Sequence, residues 1–366
     1  MRMNTRNKVL IAVFLAALIL PSLLFPLCSG LLDTENHENR ALAAFPDLSD
    51  GPAAFPSSFD NWFNDHLPFK NQLTKLHSGI DLALFNTTSN PRVVVGEEDW
   101  LFYNNYDAEN PIDDILGKSV YTEEDLHTIR DNILAAKDML ADSGCDFVLM
   151  IPSNKETVYS EHLPSYLAKS TVSETRCDAL VHYLGGEGIR VVYPKQELLN
   201  AKDIAQLYYK YDTHWNRLGG YVGFRTLCEH LGFTVPELGS YAILTDGPYP
   251  KDLAELAGMA SHYNSDYDYH IDYNPGVTIA AQDMDGYTLY TSDGPVDKTV
   301  LLVHDSYYES MIEYFTKTFT AVIEVPRNYS DLHGFQHLIE EYSCDIAVME
   351  VVERGSILLL HENMPY

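Results

Sequence analysis

Between Lys298 and Met311 the chain reads KTVLLVHDSYYESM. Thr299–Val303 is a run of β-branched and apolar side chains without polar alternation, so as a strand it must be covered on both faces. It runs directly into His304-Asp305-Ser306, after which Met311, Ile312 and Phe315 recur at helical spacing. A strand of this kind, followed by a polar turn and a helix, belongs to a parallel α/β sheet. There the carboxyl ends of strands open onto a crevice and helix N-termini direct free N–H groups into it. Ser306 is therefore a candidate nucleophile, although an Asp-Ser pair in this place also suits a plain helix cap.

The same rhythm recurs along the chain. Thr122 and Asp125 form a capping-box pattern, and Leu126, Ile129, Ile133, Leu134, Ala136 and Leu140 then make one apolar face ending at Gly144. Phe147–Ile151 is a short apolar run; a helical pattern over Ser173–Leu184 stops at Gly185-Gly186, and a strand pattern follows at Arg190–Tyr193. After Leu207-Tyr208-Tyr209 come the loop Asp212–Trp215, a helix over Arg217–Leu231, and finally the strand of Ser306, Ala321–Val325, a helical Leu332–Tyr342 and Asp345–Val351. Such alternation predicts a three-layer α/β/α domain with a mostly parallel sheet from about Asn110 onward. Upstream, Phe59–Phe85 reads as a helical segment broken at Pro68, and Val93–Tyr103 as a hairpin around Gly96–Asp99.

Arg2, Arg6 and Lys8 precede Val9–Leu32, a stretch of 24 residues without charge. That is long enough to cross a bilayer core of about 30 Å as a helix, and basic residues on the first flank keep it cytoplasmic. The expected layout is a basic tip and membrane anchor over 1–32, a polar, Pro-containing stalk over 33–58, and an extracytoplasmic domain over 59–366 interrupted at about 235–297. A cleaved signal peptide is the rival reading, disfavoured by the lack of a small-residue site in Pro21–Gly30. With 24 Lys and Arg against 53 Asp and Glu, the net charge is −29, which argues against a nucleic-acid partner and disfavours a strongly anionic glycan. Cys145, Cys177, Cys228 and Cys344 could form two bridges or serve as small core residues. No Cys-x-x-Cys pair marks a zinc or redox site.

The interruption contains SHYNSDYDYHIDY at Ser261–Tyr273. Its tyrosines and carboxylates suit a sugar-binding face, Asp266, Asp268 and His270 suit a cation, and a solvated loop suits the composition as well.

A serine hydroxyl needs a base to take its proton and a third group to fix the base's tautomer. Asp212 and His214, two apart in YDTHWN, point to the same side of an extended loop, so the carboxylate can hold one ring nitrogen and leave the other free. Alone, Asp-x-His fits a metal or surface loop equally well, and no metal or cofactor is called for.

Asp212-Thr213-His214-Trp215-Asn216 before a helix, with Asp305-Ser306 after a strand, resembles the SGNH-hydrolase-like alginate O-acetyltransferase family and the related DHHW family. Further matching stretches are Glu38-Asn39-Arg40, Phe59–Phe69, Gly96–Tyr103, Ile151–Pro164 and Val348–Arg354. The resemblance implies an SGNH-like α/β/α fold with Ser306 as nucleophile, His214 as base and Asp212 as its orienting acid. It also implies an outer-surface acyltransferase that passes acetyl groups to polysaccharide hydroxyls through an acetyl-serine, fed by a membrane-bound O-acyltransferase. The oxyanion would rest on the Ser306 N–H, with Arg327, Tyr329 and Lys155 as candidates for the second donor and for substrate binding. An acetyl esterase, or a catalytically silent glycan-binding or assembly protein, would carry the same residues. One departure stands out: the family usually has Gly where His304 stands, and His304 either crowds the turn or adds an acid or base.

Overall fold

The apolar runs pair with one another. In a computed structural model that describes residues 4–32, 42–47, 51, 55–106, 109–141, 144–249, 251–329 and 332–361, seven strands form the central sheet. In chain order they are β1 (Asp146–Met150), β2 (Val191–Val192), β3 (Ile279–Asp283), β4 (Thr288–Ser292), β5 (Val296–His304), β6 (Phe319–Pro326) and β7 (Ile346–Glu350), arranged β2-β1-β7-β5-β6-β4-β3. The first five are parallel, and β4 and β3 add an antiparallel hairpin at the β6 edge. The Glu38–Arg40 motif and much of the 33–58 stalk lie outside the described residues.

Alternation along β5 sends its side chains to two separate cores. Val300 and Leu302 join Leu218, Tyr221 and Phe224 of helix Arg217–His230 and Tyr314 and Phe315 of helix Ile312–Thr318. Leu301 and Val303 join Ile129, Ile133 and Ala136 of helix Glu123–Ala141, Leu180 and Leu184 of Arg176–Gly186, and Phe335 and Leu338 of Leu332–Tyr342. Helices thus cover both sheet faces, the three-layer α/β/α arrangement expected from the two-sided apolar strands. The Thr122–Asp125 capping box forms as read: Asp125 Oδ2 accepts from the Thr122 N–H at 2.8 Å and Thr122 Oγ1 from the Asp125 N–H at 3.1 Å.

The chain divides into two compact units, Met1–Val93 with Ala254–His262, and Val94–Leu253 with Tyr263–Tyr366. The first holds helix Thr5–Cys28, whose Arg6–Cys28 stretch is long and apolar enough by composition to cross a membrane. Helices Phe55–Asp65 and Lys70–Phe85 follow, separated around Pro68 with Phe69 at φ +62°. The second holds the sheet and its helices.

Residues 235–297 are not a simple loop. Their β3–β4 hairpin extends the main sheet, and Asp266–Ile271 pairs with Ile243–Tyr249 in a second, two-stranded sheet. Tyr263 and Tyr273 are buried, which removes them from any sugar-binding face. Asp266, Asp268 and His270 do not act as one cation-binding set. Asp266 accepts from the Tyr211 N–H at 2.8 Å, whereas the Arg217 guanidinium binds Asp268 at 2.6 Å and reaches His270 at 3.1 Å. The cysteines are free thiols, and Cys145, Cys177, Cys228 and Cys344 are all buried, so the core-residue reading replaces the two bridges.

Candidate active site

The turn after β5 is built by its own polar residues. Asp305 Oδ1 accepts from the Tyr307 N–H at 3.0 Å and its Oδ2 from the Val352 N–H at 2.8 Å, while its N–H donates to Glu350 Oε2 at 2.8 Å. Ser306 is left exposed at the tip. It opens a short 3₁₀ segment, Ser306–Ser310, rather than the α-helix expected at once, and helix Ile312–Thr318 begins only afterwards. The reason is local. The Trp215 indole N–H occupies the Tyr307 carbonyl at 2.9 Å, and the Met311 N–H closes instead on Tyr308 O at 2.7 Å, an i to i+3 bond.

The loop Asp212–Trp215 meets this turn from the other side. Asp212 Oδ1 accepts from both the backbone N–H and the Nδ1–H of His214, at 3.0 and 2.6 Å, and His214 Nε2 lies 2.7 Å from Ser306 Oγ. The expected side-by-side geometry of residues two apart therefore leaves Nε2 facing the hydroxyl. The His214 side chain keeps 26% of its surface exposed, so the group is reachable from solvent. Burial alone would lower its pKa, but the hydrogen bond and charge of Asp212 outweigh it and raise it. The same bond holds the Asp212 carboxyl below its ordinary range against burial.

Support lies beneath. Lys155 is fully buried, and its ammonium donates to the carbonyls of Tyr209, Lys210 and Asp212; desolvation pulls its pKa down. It therefore braces the loop from below and offers no open cation to a substrate. Tyr307 donates its phenol O–H to the Thr213 carbonyl at 2.7 Å, with the half-buried Arg354 guanidinium over its ring at 5.5 Å. Asn216 caps the following helix through Leu218 and Gly219. A Cβ on Gly220 would come within 2.2 Å of the Ser310 carbonyl oxygen, so glycine there lets the helix approach the serine turn.

Arg327 donates its N–H to the His304 carbonyl at 3.0 Å and lies half-buried beyond the end of β6. Tyr329 packs on Tyr287 and Phe335. The structure thus brings Ser306, His214 and Asp212 into one hydrogen-bonded line, while Lys155, Arg327 and Tyr329 each have other neighbours. His304 does not crowd the turn, because its ring folds into the protein and stacks on Tyr308.

Asp252 is a further member that sequence reasoning missed. Its two oxygens accept from the Thr213 N–H and hydroxyl, both at 3.0 Å, and it lies with Asp212 and His214 in one cluster. Burial, then the Asp212 charge, push its pKa up to about 6. An acid opening the short helix Asp252–Leu256 was legible, but nothing in the sequence ties it to residue 213.

Residues 93–318, which include all three aligned residues, match the family described as SGNH hydrolase-like domain, acetyltransferase AlgX. A probable alginate O-acetylase AlgJ of Pseudomonas putida is 27% identical over 171 residues, covering 46% of this chain and 40% of that protein. Its counterpart in Pseudomonas syringae pv. tomato is 27% identical over 199 residues, covering 52% and 47%. The chain spans less than half the length of these curated relatives. Among solved structures, a DHHW family protein from Eubacterium siraeum superposes with a TM-score of 0.54 at 15% identity, over 68% of this chain and 92% of that one. Bacillus cereus PatB1 with a sulfonyl adduct gives 0.52 at 11% identity, over 72% and 97%. At such identity these structures speak to the fold alone.

Proposed function

The chain belongs to the SGNH hydrolase-like AlgX acetyltransferase family, and from that premise we propose that it is an O-acetyltransferase acting on hydroxyls of a cell-surface or exported polysaccharide through an acetyl-Ser306 intermediate. The observation that carries this reading is the line from Asp212 through His214 to Ser306, with contacts of 2.6 and 2.7 Å. In the first step His214 Nε2 takes the Ser306 proton as Oγ adds to the acetyl carbonyl carbon. The tetrahedral oxyanion collapses, and the donor's leaving group departs with the proton from His214. In the second, His214 deprotonates a sugar hydroxyl, which attacks the acetyl-serine and regenerates Ser306. The Ser306 N–H is the first oxyanion donor.

The layout proposed with it is a cytoplasmic tip and single-pass anchor over 1–32, a stalk over 33–58 and an extracytoplasmic catalytic part beyond, with a membrane-bound O-acyltransferase as the source of acetyl groups. The relatives are named for alginate, whereas the net charge of −29 favours a less anionic polysaccharide as the substrate here.

The test is intact-mass spectrometry of the full chain in detergent after exposure to p-nitrophenyl acetate, with Ser306→Ala and His214→Ala alongside. A gain of one acetyl group in the wild type, absent in Ser306→Ala, is expected. Added oligosaccharide should then remove the adduct and appear as acetylated sugar; release of free acetate alone would make the protein an esterase. No adduct and no ester turnover from folded protein would overturn the mechanism.

A further inference from the structure

His304 occupies the last position of β5 and is only 5% exposed. Both of its ring nitrogens are engaged. Nδ1 lies 2.9 Å from the Asp305 carbonyl oxygen, and a carbonyl cannot donate, so Nδ1 must. Nε2 meets Glu324 Oε1 at 2.5 Å. Glu324 is a buried residue of β6, opposite Thr288 of β4, and the hydroxyls of Thr288 and Tyr308 reach its carboxylate as well. The Tyr308 ring closes over the imidazole, with centroids 3.4 Å apart. A histidine held on both nitrogens and covered on one face has no free lone pair with which to act as a base.

What it does hold is a peptide plane. The Asp305 C=O and the Ser306 N–H are opposite ends of one planar trans peptide, so fixing the direction of the carbonyl fixes that of the N–H. The preceding peptide is pinned as well, by the Asp305 N–H on Glu350. The Ser306 N–H itself finds no acceptor among the described residues. A hydrogen bond accepted by a peptide carbonyl also polarises that peptide and strengthens its N–H as a donor.

We propose that His304 is a positioning residue for acyl transfer: by donating from Nδ1 to the Asp305 carbonyl, it fixes the Asp305–Ser306 peptide with its N–H directed at the oxyanion formed on the acetyl group. No proton of His304 is exchanged in either half-reaction. Glu324 fixes the ring, and the β3–β4 hairpin supplies Thr288 to fix Glu324, which gives this hairpin a part in the site. The inference rests on the acyl-Ser306 reading.

The experiment is pre-steady-state acylation of the full chain in detergent by p-nitrophenyl acetate. It yields the maximal acylation rate and the half-saturating ester concentration separately, with melting temperature recorded for each variant. Misdirecting one oxyanion donor should slow maximal acylation of His304→Ala by about 30- to 100-fold, somewhat less than deleting a donor outright, with half-saturation within about twofold. His304→Asn, whose carboxamide places an N–H near the position of Nδ1, should recover to within about fivefold of wild type. Folded His304→Ala that acylates as fast as wild type, or equal loss in His304→Ala and His304→Asn, overturns the proposal. Should His304→Ala not fold, the near-isosteric pair His304→Asn and His304→Leu decides, Asn fast and Leu slow being expected and equal rates overturning it. Wild type that forms no Ser306-dependent adduct would instead defeat the acyl-serine reading itself.

Discussion

Two histidine–carboxylate pairs flank Ser306, and they are alike in their contacts. His214 meets Asp212 at 2.6 Å and His304 meets Glu324 at 2.5 Å. Their remaining nitrogens differ. That of His214 faces the Ser306 hydroxyl from a side chain with 26% of its surface exposed, whereas that of His304 is spent on a peptide carbonyl inside the protein, at 5% exposure. A carboxylate partner is therefore no mark of a base by itself. What separates a proton acceptor from a strut is whether the second lone pair is left open toward a reacting group.

The contrast is broken most directly by removing the open pair. His214→Ala should lower acylation of Ser306 by about 10³- to 10⁴-fold, read as the rate of adduct formation by intact mass; a loss of less than tenfold would make His214 as dispensable as a strut. Asp212→Asn comes next. The amide cannot hold the Nδ1–H tautomer with a charge, so Nε2 loses its basic lone pair in part of the population, and a fall of about 10²- to 10⁴-fold is expected. The pH profile sharpens the comparison further. Only neutral His214 can accept the serine proton, and Asp212 raises its pKa, so acylation should climb with pH through a midpoint above the ordinary histidine value of about 6.5. Asp252 also raises His214 by its charge. Asp252→Asn keeps an acceptor for Thr213 while removing that charge, so the midpoint should move down, by less than in Asp212→Asn, with a rate loss under about tenfold at high pH. A midpoint unmoved in Asp252→Asn would mean that its charge is screened from His214.

Much of this site was legible because the chemistry lies in short sequence intervals. Asp212 and His214 are two apart, Asp305 and Ser306 adjoin, and Thr299–Val303 could only be a strand covered on both faces. What was hidden was carried by long-range pairing. Asp252 reaches Thr213 across 39 positions. Glu324 reaches His304 across a strand pair whose register no local pattern fixes. The β3 strand is exposed along all five of its residues, so it lacks the apolar alternation by which a half-buried strand is recognised, and 235–297 read as an interruption of the fold when it supplies the sheet's edge. Lys155 misled in the opposite way. A lysine in a motif suggests an open cation, and only the three carbonyls above it show that it is a buried brace.

The smallest effect belongs to the closed pair, and it should appear in stability rather than rate. Glu324→Gln leaves an oxygen to accept from His304 Nε2, so the ring stays in place and acylation should slow only a few-fold. A bond to a carboxylate is exchanged for one to a neutral carboxamide, which should cost about 1 kcal/mol in a buried setting. The pH dependence carries the sign. Burial would raise the Glu324 pKa, but hydrogen bonds from His304, Thr288 and Tyr308 overcome it and leave it below the ordinary glutamate range. A depressed carboxyl stabilises the fold above its unfolded pKa and loses that contribution as pH falls through the folded one. The melting-temperature gap between wild type and Glu324→Gln should thus be largest near neutrality and shrink as the pH falls below the ordinary glutamate pKa of about 4.3. A gap that stays constant across that range would show that the carboxylate's charge does not hold His304, and that the two pairs differ in partner as well as in openness.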